Sequence, residues 1–266
     1  MTTLMAIGGA MDKESPVVMR EFIRRAGGAA ARIVILPQAS AQADTGEYYI
    51  ARFKELGAGE AVALEFRQRG AMDTPEQIDQ IRDATGIFLT GGAQMRIAAL
   101  YGGTKLEAEL LAAYRRGCLV GGTSAGAAIL SKTMIAYGKG GPTPRERIAQ
   151  FSPGLGFTDK FIFDQHFRQR DRLGRLIYAV AAYPGALGVG LDENTAAIVE
   201  DDVALTVCGA GGVTLVDGRQ IGYTDVAEVE NRGPVAVSNL KIHVLTHGSR
   251  YQNGEVFIPE KISLNE

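Results

Sequence analysis

The chain has 266 residues, of which 46% are hydrophobic and 22% are charged, a balance that is typical of globular domains and excludes a disordered chain. Its 28 basic and 30 acidic side chains leave a net charge of −2, which argues against general electrostatic binding to nucleic acid or anionic lipid. Two cysteines, Cys118 and Cys208, are too few for a disulfide framework or a thiolate metal site. We therefore expect no metal.

The first residues carry no basic segment ahead of an apolar run of signal-peptide length. No stretch of the chain approaches the ~18 apolar residues that a membrane helix needs. We therefore expect a protein that makes no contact with a membrane and stays in the cytoplasm.

The first 130 residues alternate between strand-like and helix-like segments. Apolar runs that end in turn residues predict buried parallel strands at 3–9, 32–37, 61–66 and 86–92 and from 118 onward. Helices are predicted after Pro16, after Thr74-Pro75 and over 105–116. This alternation is typical of βαβ units, so we predict an α/β fold with a mostly parallel central sheet flanked by helices.

The pattern changes after residue 185. Short strand-like segments joined by tight turns lie at 187–199, 203–208, 213–217, 241–246 and 255–258. We interpret them as antiparallel strands added to the same domain in the C-terminal third. Because no linker, charge run or repeat interrupts the sequence, we predict a single domain over residues 1–266.

The segment Gly122-Thr123-Ser124-Ala125-Gly126 follows an apolar strand and precedes a helix-like segment. This is the G-x-S-x-G pattern of a nucleophile elbow, in which small residues permit the sharp turn that projects the Ser124 hydroxyl above the sheet. The Ala125 N–H at the start of the helix can stabilise an oxyanion. Nucleotide-binding folds also use glycine-rich turns, but the first such turn, Gly8-Gly9, lacks the G-x-G-x-x-G fingerprint. We expect no cofactor.

A serine nucleophile needs a base, and the chain has three histidines. His166 follows the strand-like residues 161–163, and open α/β sheets place catalytic residues at such strand ends. His243 lies within an alternating strand and is predicted to be structural, whereas His247 lies in a turn. We predict that His166 is the base, with His247 as the alternative.

Arginines follow this histidine at helical spacing. Arg168, Arg172 and Arg175 are four and three residues apart, so a helix would align them on one face, with Arg170 on a neighbouring flank. Guanidinium groups near a nucleophile can hold a substrate carboxylate in bidentate fashion. The alternative is a solvated helix face with an Asp171–Arg175 pair.

Several motifs occur in an order that is specific as a set. They are Gly91-Gly92-Ala93-Gln94, the elbow, Ser152-Pro153-Gly154-Leu155-Gly156, Asp164-Gln165-His166-Phe167 with the arginines and Gly174, and the segment from Gly188 through Asp192-Glu193-Asn194 to Ala196. From Gly8-Gly9 to about Leu245, the chain resembles the cyanophycinase family of serine peptidases, which also includes aspartyl dipeptidases.

The resemblance implies a fold similar to class I glutamine amidotransferases, a homodimer, and an exopeptidase that acts through a Ser124 acyl-enzyme with His166 as base. The implied substrate is cyanophycin, an aspartate backbone with arginine on each β-carboxyl, and the implied products are β-aspartyl-arginine dipeptides. The residues implied to line the substrate cleft are Gln94, Asp164, Gln165, Arg170, Arg172, Arg175 and Asn194. Gly92 and Ala125 are the predicted oxyanion donors.

The chain departs from the family at one position. The family usually supplies an acidic residue from the loop between serine and histidine to orient the imidazole, but residues 138–144 contain no carboxylate. We predict that Glu146, a few residues later, takes this role. Two alternatives stay open: another acceptor holds His166, or the protein is a weakened or retasked relative.

Two further functions remain open at this stage. An α/β-hydrolase-type esterase would pair Ser124 with a late histidine, His243 or His247. A non-catalytic relative would bind β-aspartyl-arginine peptides without cleaving them. The near-neutral charge fits a zwitterionic partner such as cyanophycin better than a polyanion.

Overall fold

The computed structural model describes residues 1–71 and 74–259. Its N-terminal half follows the predicted alternation of strands and helices. The strands are β1 (Thr3–Ile7), β2 (Arg32–Leu36), β3 (Glu60–Ala63), β4 (Gly86–Leu89) and β5 (Leu119–Thr123). The helices are α1 (Val17–Arg25), a 3-10 turn (Gly28–Ala30), α2 (Thr45–Glu55), α3 (Pro75–Asp83), α4 (Gln94–Tyr101) and α5 (Lys105–Arg115).

The second half begins with the short helix α6 (Ala125–Ala128) and a hairpin, β6 (Thr133–Gly138) and β7 (Ala149–Pro153). Next come β8 (Phe161–Gln165), a 3-10 turn (Arg168–Arg170) and α7 (Leu173–Ala182). The remaining strands are β9 (Leu187–Leu191), β10 (Thr195–Glu200), β11 (Ala204–Gly209), β12 (Val213–Asp217), β13 (Lys241–Leu245), β14 (Arg250–Gln252) and β15 (Glu255–Phe257).

The large sheet has nine strands in the order β15-β14-β11-β10-β1-β5-β4-β2-β3. Its N-terminal strands β1 to β5 are parallel, and the C-terminal strands extend it in antiparallel fashion from β1. A second sheet has the order β13-β12-β9-β8, with β8 parallel to β9. The predicted α/β fold, with parallel strands at its centre and added antiparallel strands, is confirmed.

The central strands are buried on both faces. In β1, Leu4 and Ala6 belong to one hydrophobic cluster, whereas Met5 and Ile7 belong to the other. Because successive strand residues point to opposite faces, a strand that is covered by helices on both sides needs an unbroken apolar run. This is why these strands could be recognised from the sequence.

Local signals set the ends of several helices. The Thr74 side chain accepts a hydrogen bond from the Gln77 N–H at the start of α3, and Thr104 does the same for α5. Each such cap contributes about 1 kcal/mol. Gly117, with φ of +99°, follows α5, since glycine adopts this left-handed conformation without steric cost.

The strand expected at 187–199 is in fact two strands. β9 ends at Leu191 and β10 begins at Thr195, and the turn between them includes Asn194 with φ of +52°. Asparagine tolerates this conformation better than most residues, because its short polar side chain can bond locally. The turn brings residues 192–194 to the edge of the sheet.

The expected alignment of three arginines on one helical face does not form. Asp171 has φ of +48°, which interrupts the helical conformation between the 3-10 turn and α7. The helix therefore begins only at Leu173. Arg168 is exposed, whereas Arg172 and Arg175 are buried. The alternative Asp171–Arg175 pair is also absent from the described residues, because Arg175 pairs with another carboxylate.

No helix in the described part of the chain is long and apolar enough to span a membrane. Within the same residues, no cluster of three or more His, Cys, Asp or Glu side chains is placed to hold a metal ion.

Candidate active site

Ser124 lies at a sharp turn between β5 and α6. Its backbone has φ of 54° and ψ of −110°, a conformation that costs about 1–3 kcal/mol for a residue with a side chain. The turn also needs a close approach of two chains, since a Cβ on Gly126 would lie 2.1 Å from the Leu89 carbonyl oxygen. The small residues of the elbow therefore let β5 turn directly into α6, with Ser124 at the crest.

His166 lies next to the serine. Its Nε2 is 2.9 Å from Ser124 Oγ, and its Nδ1 is 2.6 Å from Glu193 Oε1. Because a carboxylate can only accept, the proton resides on Nδ1, and Nε2 is left to accept the hydrogen bond from the serine hydroxyl. The three side chains form a continuous chain of hydrogen bonds with the order expected of nucleophile, base and orienting acid.

Burial lowers the pKa of His166 below its usual range of about 6.5. The hydrogen bond from Nδ1 to Glu193 opposes this effect, while the nearby positive charge of Arg170 adds to it. His166 is therefore neutral at pH 7, the state in which it can accept a proton from the serine.

The prediction that Glu146 orients His166 is wrong, because its carboxylate has other partners. Its Oε2 accepts from the Arg232 N–H at 2.9 Å, and its Oε1 pairs with Arg147 at 2.8 Å. The loop before it is held against the start of α7, where the Gly174 N–H donates to the Gly141 carbonyl. The Glu146 carboxylate thus has other partners, and the carboxylate that bonds His166 is that of Glu193.

Sequence reasoning missed Glu193 because the search was limited to acids between Ser124 and His166, and because residues 187–199 were interpreted as one strand. A signal was present, since Asp192-Glu193-Asn194 is a polar turn tripeptide inside an apolar segment. The parallel pairing of β8 with β9 sets Gln165 opposite Leu191. The turns that follow these two strands therefore meet at one edge of the sheet.

The exit of β1 holds the site together through its backbone. Three consecutive carbonyl oxygens at residues 7–9 accept hydrogen bonds from the N–H groups of Ser124 at 2.9 Å, His166 at 2.8 Å and Asn194 at 2.9 Å. All three of these side-chain-bearing residues have positive φ. The strained turns that carry Ser124, His166 and Asn194 are thus fixed to one short segment.

Residue 9 must be glycine because the His166 imidazole occupies the space that a side chain would need. Its φ is +114°, and a Cβ built on it would lie 2.3 Å from His166 Cε1. The histidine ring therefore packs directly on the backbone of residue 9. In the sequence, Gly8-Gly9 argues against a nucleotide site and begins the family resemblance, and in the structure Gly9 leaves room for the His166 ring.

The predicted oxyanion donors come from two turns, one directly after Ser124 and one after β4. Ala125 is the first residue of α6, so its N–H has no partner within the helix. Gly92 follows Gly91, on which a Cβ would lie 3.3 Å from the Ser124 Cβ. Neither N–H of this pair donates to a carbonyl in the loops that the structure describes.

A buried charge cluster lies beneath the histidine. Asp164 is 1% exposed and accepts two hydrogen bonds from Arg175, one of them from Nε at 2.7 Å. Arg172 lies 3.4 Å from the same carboxylate and donates to the backbone and side-chain oxygens of Gln165. Burial lowers the pKa of Arg172 to about 10. The Gln165 Oε1, in turn, lies 3.4 Å from Ser124 Oγ.

The other residues predicted to line the cleft have varied surroundings. Gln94 donates its amide to the carbonyl oxygens of Ile135 and Ala136, at 3.1 and 2.8 Å. Asn194 Oδ1 accepts from the Asp12 N–H at 3.1 Å. Arg170 is exposed and close enough to His166 to influence its pKa. Their substrate-binding roles stay predictions.

The late histidines lie elsewhere. His243 is in β13, with its ring centroid 5.8 Å from that of Tyr251. His247 Nδ1 accepts from the Gly209 N–H at 3.2 Å. Neither contacts Ser124 within the described residues, so the esterase alternative has no base at the elbow.

Comparisons with known proteins identify the family of this chain. Residues 4–207 match Peptidase family S51. A relative from Trichormus variabilis named cyanophycinase is 40% identical over 253 residues, covering 94% of this chain and 85% of the relative. A cyanophycinase from Geminocystis herdmanii is 37% identical over 253 residues, covering 94% of this chain and 93% of the relative. A solved peptidase from an acI-B1 Actinobacterium aligns with a TM-score of 0.67 at 21% identity over 94% of this chain and 96% of that one, a likeness of fold alone.

Proposed function

This chain belongs to peptidase family S51, and on that premise we propose that it is a serine exopeptidase that hydrolyses cyanophycin to β-aspartyl-arginine dipeptides. The observation that carries the proposal is the chain of hydrogen bonds from Ser124 through His166 to Glu193. A neutral imidazole between a strained serine and a carboxylate is the arrangement that activates a hydroxyl for attack on an amide carbon.

The proposed reaction has two halves. In the first, Ser124 Oγ attacks the backbone amide carbon of an aspartyl residue, and its proton moves to His166 Nε2. Glu193 stabilises the imidazolium, and the N–H groups of Gly92 and Ala125 stabilise the oxyanion. The imidazolium then protonates the leaving amine, which gives an acyl-enzyme. In the second half, His166 takes a proton from water, and the resulting attack releases the product acid and regenerates the serine.

The charges around the site support a substrate that carries both signs. Each repeat of cyanophycin presents a free carboxylate and a guanidinium group. Arg170 is exposed beside His166 and can pair with a carboxylate, whereas Asp164 holds Arg172 and Arg175 in the buried cluster. We propose that Arg170 and Gln165 contact the substrate directly, while the buried pair positions Gln165.

Product analysis tests the proposed function. The purified protein should release a dipeptide of one Asp and one Arg from cyanophycin, seen by chromatography and mass spectrometry, while Ser124→Ala releases none. A fluorophosphonate probe should label Ser124. Tight dipeptide binding without labelling or cleavage would support the non-catalytic alternative instead.

Two histidine variants separate the peptidase from an esterase. His166→Ala should abolish release of the dipeptide, and His247→Ala should leave it intact, because His247 lies away from the serine. The reverse result would favour the esterase. The single domain over residues 1–266 and the homodimer stay predictions. The last seven residues of this range lie outside the described residues. Light scattering of the purified protein tests the homodimer.

A further inference from the structure

A cavity of about 500 Å³ opens on Ser124 and lies outside the predicted substrate-binding set. Its described lining includes Thr123 and Ser124 but none of the residues predicted to line the substrate cleft. It is bounded by the loop at 9–13, by residues of the segment 40–45 and by the first turns of α2. Any substrate at the serine has this space on one side of it, and nothing in the proposed reaction occupies it.

The walls of this cavity are built rigidly. On one side, the Asn194 side chain holds the Asp12 N–H, and the Asp12 carboxylate accepts from the N–H groups of Glu14 and Ser15 at 2.8 and 3.1 Å. The Arg52 guanidinium donates to the carbonyl of Lys13. Since the Gly9 carbonyl also accepts from the Asn194 N–H, the loop is held at residue 9 as well as at residues 12 and 13. A fixed wall can present charges to a ligand without first being ordered.

Asp44 lines the cavity, and its carboxylate does not stabilise the helix that it precedes. It occupies the N-cap position of α2, where an aspartate side chain normally accepts a backbone N–H, yet its side chain makes no capping bond. No other hydrogen bond or ion pair involves this carboxylate among the residues that the structure describes. Its charge is therefore available to a ligand in the cavity.

An aromatic ring and a second charge lie beside this carboxylate. Tyr48 follows Asp44 by four residues, so the two are neighbours at the start of α2. The Lys13 ammonium lies over the Tyr48 ring, 5.6 Å from its centroid, so this ring makes a cation–π contact in the structure. A carboxylate, an aromatic face and an ammonium group thus line one space next to the nucleophile.

We propose that this cavity is the subsite for one arginine of the substrate, with Asp44 pairing with its guanidinium, Tyr48 stacking on it and Lys13 pairing with its carboxylate. A guanidinium is planar, so it suits both a carboxylate and an aromatic face. This inference rests on the proposed function and assigns an arginine of the substrate to a space that Arg170 does not line. The remaining cation of the lining, Arg52, is already paired with Glu55 at 2.7 Å.

A charge-specific substrate comparison tests the subsite. Two short β-aspartyl oligomers are used, one carrying arginine and one carrying citrulline, which has the same shape without the charge. Asp44→Asn should raise KM for the arginine oligomer about tenfold and leave both kcat and the citrulline oligomer nearly unchanged. Asp44→Glu should recover most of the difference. Because Asp44 makes no cap, the variant should fold like the parent.

Glu14→Gln is the matched control, since it removes the same charge at the residue directly after the 9–13 loop, which does not line the cavity. If Asp44→Asn alters both oligomers equally, or neither, or if Glu14→Gln has the same effect as Asp44→Asn, the subsite is overturned while the peptidase function stands.

A binding measurement separates failure of the subsite from failure of the proposed function. Calorimetry on Ser124→Ala should show that arginine amide binds more tightly than citrulline amide and that Asp44→Asn removes the preference. If the parent cleaves neither oligomer, the proposed function fails, but a missing preference in calorimetry still overturns the cavity assignment.

Discussion

Replacing Glu193 by glutamine removes the charge that faces His166 and keeps the length of the side chain. The hydrogen bond from Nδ1 to Glu193 Oε1 is 2.6 Å long, and the Glu193 side chain is 34% exposed. In the proposed reaction His166 becomes an imidazolium, so the carboxylate would stabilise a charge that is absent in the resting state. The variant should therefore lower kcat more than it raises KM.

The size of the loss follows from this contact. Two unit charges about 4 Å apart attract each other by about 1 kcal/mol in water and by about 4 kcal/mol at an effective dielectric constant of about 20. A partly exposed carboxylate lies between these limits, which corresponds to a loss of roughly 5- to 10³-fold. A glutamine amide can also donate to Nδ1 and impose the wrong tautomer, and the equivalent change in serine proteases costs about 10⁴. We expect kcat to fall by about 10² to 10⁴.

The assay is the initial rate of dipeptide release, with active-site titration by the fluorophosphonate probe to count competent protein. Glu146→Gln is the matched control, because it makes the same chemical change at the acid that the sequence suggested. It should keep kcat within about twofold of the parent, since the Glu146 carboxylate bonds only to residues 147 and 232 among those described. An inactive Glu146→Gln beside an active Glu193→Gln would refute the assignment.

Four other variants and a pH profile test the same structure. The acid limb of the kcat/KM profile should lie below about pH 6.5, because burial lowers the pKa of His166. Arg170→Ala should move this limb to higher pH, because it removes a positive charge that also lowers this pKa. An unshifted limb would contradict the electrostatic account. Gly9→Ala should reduce turnover at least ~10²-fold by displacing the imidazole, whereas Gly185→Ala, where a Cβ meets nothing within 4 Å, should be neutral in both activity and urea unfolding. Asp164→Asn should lower the free energy of unfolding by about 3–5 kcal/mol, because it leaves two buried guanidinium groups without their carboxylate, and a change below 1 kcal/mol in urea unfolding would contradict this.

Much of the framework could be predicted from the sequence because its signals are local. The apolar runs at 32–36 and 86–89 are strands because both faces of the sheet are covered. The elbow at Ser124 is defined by its small neighbours within five residues. His166 was predicted from its position at the end of an apolar strand, and the structure brings it to the serine.

Other features of the site depended on which strand ends meet. Glu193 lies 27 residues after His166 along the chain, yet the two side chains are in contact because β8 and β9 are parallel neighbours. Strand order is a property of the whole sheet, and no local pattern encodes it. For the same reason, the sequence showed arginines at helical spacing but could not show that Asp164 would bury Arg172 and Arg175.

The sequence by itself determined the alternating fold, the strained turn at Ser124 and the position of His166 at a strand end. Each depends on the hydrophobic pattern or on the small side chains of a few adjacent residues. Only the tertiary structure decided which carboxylate orients the imidazole, which backbone segment holds the three strained turns and where the cavity beside the serine lies. The first two arise where the ends of β1, β5, β8 and β9 meet, and the cavity arises where the loop at 9–13 meets the segment 40–45. Both depend on the packing of segments that are distant along the chain.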